Sequence, residues 1–143
     1  MFCGYCGAEG TARERDRSRV CRRCELGLLL SAEASLAPRP SDLFLVVDQN
    51  LHVRALSREA ERVFDVSESK ALTRRVSELL VPADSVSPDR FALVATLAAA
   101  ARGEARASGP MAVRRPDEYG VRYAARIGPC HPGPAALLVL EPL

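Results

Sequence analysis

Five cysteines stand in this chain of 143 residues. Four of them fall in two Cys-x-x-Cys clips, Cys3-Gly4-Tyr5-Cys6 and Cys21-Arg22-Arg23-Cys24. Zinc takes four ligands in a tetrahedron, and thiolate suits it. Each clip can bring two sulfurs onto one ion through a tight turn, where Gly4 and Gly7 supply backbone freedom. The 14 residues between the clips are few for a domain and ample for a zinc loop. Cys3, Cys6, Cys21 and Cys24 are therefore expected to hold one structural zinc ion. A closed four-sulfur site leaves no open position for water or substrate. Three other uses of the thiols are weaker. Disulfides need an oxidising compartment, and the first twenty residues hold many charges and no apolar secretory core. A redox Cys-x-x-Cys usually follows a strand in a βαβ unit, whereas only two residues precede Cys3. Iron is another metal that four thiolates accept.

The remaining reactive side chains form no comparable pattern. Cys130 and His131 lie side by side in a proline-rich turn over residues 128–134, which reads as a lone thiol with no third ligand nearby. His52 falls on the outward face of its strand. Asp48, Glu59 and Glu61 read as exposed charges on a hairpin and a helix. The chain shows no Ser/His/Asp grouping and no phosphate loop, so it is not expected to be an enzyme.

The elements that must position the clips follow from patterning. Hydrophobic residues make up 48% and charged residues 27%, ordinary for a globular chain. No apolar run approaches the ~18 residues of a membrane span. The length suits one domain with a small appendage. Residues 1–24 read as a four-cysteine zinc-binding module resembling a zinc ribbon or treble clef. Residues 22–37 read as a connecting helix, rich in Leu and Ala. Leu26, Leu29, Leu30 and Ala37 form one helical stripe; Leu28, Ala32 and Leu36 form another. A helix apolar on two sides needs two partners, so Leu26, Leu28, Leu29, Leu30 and Leu36 are expected to centre a homodimer. Pro38 and Pro40 end the helix.

Residues 41–143 read as one α+β domain. Leu43 to Val47 is a buried strand, Asp48-Gln49-Asn50 a turn in which Asn50 tolerates a left-handed conformation, and Leu51 to Leu56 an alternating strand. Ser57 caps a helix carrying Ala60, Val63 and Phe64 inward. Ser67 caps a short turn, and Val76, Leu79 and Leu80 make another apolar face. Ser87-Pro88-Asp89 opens a longer helix through Phe91, Val94, Leu97, Ala98 and Ala101, which Gly103 stops. Met111 to Arg115, Val121 to Ile127 and Ala135 to Glu141 are the last three strands.

This order, with Leu43-Phe44-Leu45-Val46-Val47-Asp48, His52-Val53-Arg54-Ala55-Leu56-Ser57, Glu59-Ala60-Glu61-Arg62-Val63-Phe64 and Val76-Ser77-Glu78-Leu79-Leu80, resembles the PAS domain family. Ser57 stands where many relatives carry Asn, Asp65 where many carry Gly, and Asn50 replaces the usual turn glycine. The resemblance implies a five-stranded antiparallel sheet with flanking helices around a small apolar cavity. Val53, Phe64, Leu72, Leu79, Phe91, Val94, Tyr123 and Ile127 would line that cavity, suiting a small, mostly hydrophobic ligand. No flavin or haem is expected. The short helix near Val76 to Leu80 lacks the reactive Cys of light-sensing relatives, and residues 87–102 lack a haem-ligating His.

The chain thus reads as a cytoplasmic signalling or regulatory protein, with a sensor or interaction domain joined to a structural zinc finger and with a protein partner. The alternatives are a transcriptional regulator that binds nucleic acid through the zinc module, or a thiol redox protein. Nucleic acid is not favoured. Arginines at 13, 15, 17, 19, 22, 23 and 39 are cut by Glu9, Glu14, Asp16, Glu25 and Glu33 to a net +2. Zinc held by four thiolates would bring the module to about zero.

Overall fold

Leu43–Asp48 is buried at every position, and so is Ala135–Leu140. A strand in a sheet exposed on one side alternates buried and exposed residues, whereas these strands are covered on both faces. The structure, a computed structural model, describes residues 1–83, 92–104 and 111–143. The expected helix start Ser87-Pro88-Asp89 and the cavity residue Phe91 lie outside them.

The main sheet runs in the order β4-β3-β8-β7-β6-β5 and is antiparallel throughout. Its strands are β3 (Leu43–Asp48), β4 (Val53–Leu56), β5 (Val81–Pro82), β6 (Met111–Arg114), β7 (Tyr123–Cys130) and β8 (Ala135–Pro142). The five expected strands are present, and β5 adds a two-residue sixth, with Val81 paired to Arg114. A separate two-stranded sheet pairs β1 (Phe2–Cys3) with β2 (Leu29–Leu30).

The β3–β4 hairpin turns where expected. The left-handed residue is Leu51 (φ 64°), not Asn50. Asp48 fixes the turn by accepting N–H bonds from Asn50 and His52 on Oδ1, at 2.9 and 3.0 Å. Val121 lies outside β7 and is exposed, because that strand begins at Tyr123. The same strand continues through Cys130, so Gly128 to Cys130 belongs to the sheet and the turn is confined to residues 131–134.

Three helices border the inner face: α2 (Arg58–Phe64), α3 (Glu68–Ala71) and α4 (Ala92–Ala101). Ser57 caps α2, its Oγ accepting from Ala60 N–H at 3.1 Å and also from Phe44 N–H at 3.1 Å. The hydroxyl therefore ties the helix start to β3 without an asparagine. Asp65 ends α2 in the left-handed region (φ 51°), a conformation glycine adopts most readily. Ser67 starts α3 without a side-chain cap bond. Gly103 follows α4 at φ 72°. No described helix is long and apolar enough to cross a membrane.

Of the expected cavity residues, Val53, Phe64, Leu79, Tyr123 and Ile127 join the inner core, with Leu45, Leu97 and Leu138 among their neighbours. Val94 does not. It is 42% exposed, because α4 turns Leu93, Leu97, Ala100 and Ala101 to the sheet instead. Leu72 is half-buried and faces a groove on the other side of the domain.

The largest departure is the absence of the connecting helix. Residues 22–37 form turns, β2 and an extended linker, and the helix in this region is the short α1 (Ala12–Arg17), capped by Thr11 between the clips. Leu and Ala favour helix over other residues by only tenths of a kcal/mol each, and Gly27 opposes it by ~1 kcal/mol. Tertiary pairing overrides so small a preference. Leu29 pairs with Cys3 and Leu30 with Phe2, while Glu25 turns left-handed (φ 59°).

The leucines of the expected dimer stripe consequently divide. Leu29 and Leu36 are buried within the chain, Leu30 is half-buried, and Leu26 and Leu28 are exposed. Phe2 and Leu36 pack on the outer sheet face with Phe44, Val46, Leu137 and Val139. The Phe2 and Phe44 rings meet edge to face at 5.6 Å. The linker is held by reciprocal Ser31–His131 backbone bonds of 2.8 Å, and Arg126 Nη1 donates to Ser35 C=O at 2.7 Å. Leu36→Ala should cost about 2–5 kcal/mol in urea unfolding. Val94→Ala, at an exposed position, should stay within about 0.5 kcal/mol. The reverse order would contradict this packing.

Candidate metal centre

Both cysteine clips end the same way. The residue after the second cysteine is left-handed, Gly7 at φ 73° and Glu25 at φ 59°. The chain thereby curls back and aims N–H groups at sulfur. Cys3 Sγ accepts from Tyr5 and Cys6 N–H, both at 3.4 Å. Cys21 Sγ accepts from Arg23 N–H at 3.3 Å, and Cys24 Sγ from Gly27 N–H at 3.4 Å. Such bonds favour the thiolate form.

The β1–β2 pairing and the Cys21 N–H bond to Gly27 C=O (2.8 Å) bring the clips together. The sulfurs of Cys3, Cys6, Cys21 and Cys24 all lie within 4.8 Å of one another. Cys3 and Cys24 sulfurs are 3.6 Å apart, and Cys6 and Cys21 sulfurs 3.9 Å. A disulfide requires about 2.05 Å, so these are free thiols. A tetrahedral ion with metal–sulfur bonds of about 2.3 Å sets sulfurs about 3.8 Å apart. The four sulfurs fit that spacing and could hold a metal ion. No other such cluster occurs among the described residues. Cys130 and His131 do not join it. Cys130 is buried in the outer core, where burial pushes its thiol up to about 12.

The surroundings leave no room for alternative side chains. A Cβ on Gly27 would sit 2.3 Å from Cys3 Sγ and 2.8 Å from Tyr5 Cβ. One on Gly7 would meet Arg39 C=O at 2.5 Å, at a backbone angle that already favours glycine. Leu29 packs beside Cys3 and Cys21 and keeps that side dry.

Without a cation the thiols of Cys3, Cys6 and Cys24 do not titrate alike. Burial raises Cys3 above its ordinary 9.0 despite N–H bonds from Cys6 and Tyr5. Burial likewise raises Cys6. Burial also acts upward on Cys24, but N–H bonds from Gly27 and Leu26 and thiol bonds from Cys3 and Cys6 outweigh it and bring Cys24 to about 7. The cluster thus retains protons at neutral pH that an incoming metal must displace.

Tyr5, inside the first clip, links this centre to the PAS-like domain. Its C=O accepts from Arg58 N–H at 2.9 Å, its hydroxyl donates to Glu61 Oε1 at 2.5 Å, and the Arg58 guanidinium lies 5.2 Å from its ring centre. Tyr5 and Gly27 carried no role in the sequence pattern, and Glu61, expected as an exposed charge, is half-buried against Tyr5. The one sequence signal was an aromatic residue placed inside a metal clip.

No family model matches the chain, and no curated protein matches it. Solved structures do resemble it. The PAS domain of a protein from Colwellia psychrerythraea superposes with a TM-score of 0.54 at 15% identity, covering 72% of this chain and 86% of that one. The PAS domain of an HTR-like protein from Haloarcula marismortui gives a TM-score of 0.49 at 11% identity, covering 71% and 81%. The first likeness shows the fold: a PAS-like α+β domain with a curled antiparallel sheet.

Gly27→Ala should weaken metal binding at least tenfold in a chelator competition, because its methyl group would displace Cys3 Sγ. In the unaltered protein, metal entry at pH 7 should release protons, since Cys3 and Cys6 titrate above 9.0. Affinity should therefore rise with pH, and calorimetry in buffers of different ionisation enthalpy reads the released protons. Binding that is independent of pH between 6 and 8 would contradict the thiol cluster as the site.

Proposed function

We propose that this chain is a non-enzymatic regulatory protein of the cytoplasm, in which a structural zinc ion holds a small module over the outer face of a PAS-like domain. The observation that carries the reading is the convergence of four sulfurs at zinc spacing in a module whose Phe2 packs on that face with linker residue Leu36. Four thiolates close the coordination shell, which supports a structural ion over a catalytic one. The resemblance of the fold to PAS domains supports a sensing or interaction role. The partner we propose is another protein. A homodimer centred on a leucine helix loses its argument, because Leu29 and Leu36 are already covered within the chain.

Removing the metal tests this. A chelator, or Cys21→Ser, should free residues 1–40 from the sheet and expose Phe44, Val46, Leu137 and Val139. Binding of an apolar dye should rise several-fold while far-ultraviolet circular dichroism keeps its sheet signal. Freshly purified protein carrying well under one zinc per chain in native mass spectrometry would overturn the proposal, as would alkylation of all four thiols while zinc stays bound.

A second reading has one observation in its favour: Arg13, Arg19, Arg22 and Arg23 are all exposed on the module. Under it, the module binds nucleic acid, and log affinity for duplex DNA falls steeply with log salt. A flat salt response, or no binding near 0.1 M salt, would exclude it.

A further inference from the structure

We propose that the groove between the second cysteine clip and the β3–β4 hairpin is a docking site for a partner-protein segment carrying apolar side chains around one basic residue. The inference rests on the reading of the cluster as metal-bound, because clip residues form one wall. The groove has a volume of about 620 Å³, within the range of clefts that hold ligands. Leu26 and Leu28 stand on the module side, half-buried Ala55 on the sheet, Glu68 on α3 and Leu72 just after it.

Two observations select the occupant. Leu26 is 71% and Leu28 54% exposed, although the sequence around them buries Leu29. Adjoining exposed leucines on a groove mark an interaction surface. A chain segment crossing the rim covers both leucines, which flank Gly27 along the groove.

Charge supplies the second constraint. Asp48, in the same groove, is already satisfied by two N–H groups and by Arg54 at 3.0 Å. Glu68 accepts only the Leu56 N–H, at 3.0 Å, and has no ion pair with a basic side chain among the described residues. Burial and the nearby Glu61 carboxylate raise its pKa, against the Leu56 bond. The groove therefore carries one uncompensated acid beside an apolar floor. A Lys or Arg on the partner would complete it.

The test uses the zinc-loaded full chain and two short labelled peptides of the same Leu- and Ser-rich sequence, one with a central Lys and one with a central Glu. Fluorescence polarisation should show saturable binding and on the order of tenfold preference for the Lys peptide. Glu68→Gln, whose amide oxygen still accepts from Leu56, should remove the preference. Replacing Leu26 and Leu28 by Ser should weaken both peptides on the order of tenfold. Both variants should keep their zinc, since none of the three side chains is a ligand. Equal affinity for the two peptides, indifference to both variants, or a second copy of the chain in sedimentation that blocks the peptides would overturn the proposal. Absence of binding in zinc-replete protein defeats the groove alone. A chain without zinc that still prefers the Lys peptide defeats the metal reading and leaves the groove standing.

Discussion

The outer face of β3 and β8 presents Phe44, Val46, Leu137 and Val139, each almost wholly buried. Left in water, each such side chain forgoes about 1.5–3 kcal/mol of transfer free energy. Something must lie over this face, and in this chain the first forty residues do. Phe2 and Leu36 supply the apolar contacts, the Ser31–His131 and Arg126–Ser35 bonds hold the linker in place, and Tyr5 fastens the first clip to α2. The outer face is the constraint from which the placement of the module follows.

A cover of this kind has little core of its own. Cys3, Cys21 and Leu29 are its fully buried cluster, with Tyr5, Cys6 and Cys24 beside them. Segments this small usually depend on a metal or on covalent cross-links. The apparent binding energy of a structural zinc ion, about 10–16 kcal/mol in small zinc peptides at neutral pH, becomes folding energy when the site does not exist in the unfolded chain. A metal ion held by the four sulfurs would therefore reinforce the sheet contact. The clips shape the module that covers the sheet, and the sheet fixes the linker that holds the module down.

The join between the two parts is polar as well as apolar. Tyr5 reaches Glu61, Glu61 Oε2 accepts Glu68 N–H at 2.7 Å, and Glu68 accepts the Leu56 N–H. Through these bonds the first cysteine clip is linked to the middle of α2, to the start of α3 and to the edge strand β4. Bonds to carboxylates are stronger than neutral ones, so the chain of contacts resists shear that the leucines alone would allow.

Local chemistry was legible in the sequence. The Cys-x-x-Cys spacing placed four sulfurs because two intervening residues leave little choice of turn. Alternation and continuous apolar runs placed the five main strands, and Ser57 was readable as a cap because its position before Arg58–Phe64 allows little else. Long-range choice was not legible. Residues 22–37 carry two helical stripes of leucine, yet pairing of β1 with β2 and the left-handed Glu25 took precedence. Val94 and Leu93 are alike to a periodicity argument, and only the angle at which α4 meets the sheet decided which is buried. The unbroken burial of Leu43–Asp48 announced a two-sided strand, but not that the second cover would be the cysteine module. Spacing and alternation act between neighbours and are written in the chain; the partner of an apolar face is set by which distant segment reaches it, and tertiary packing alone settles that.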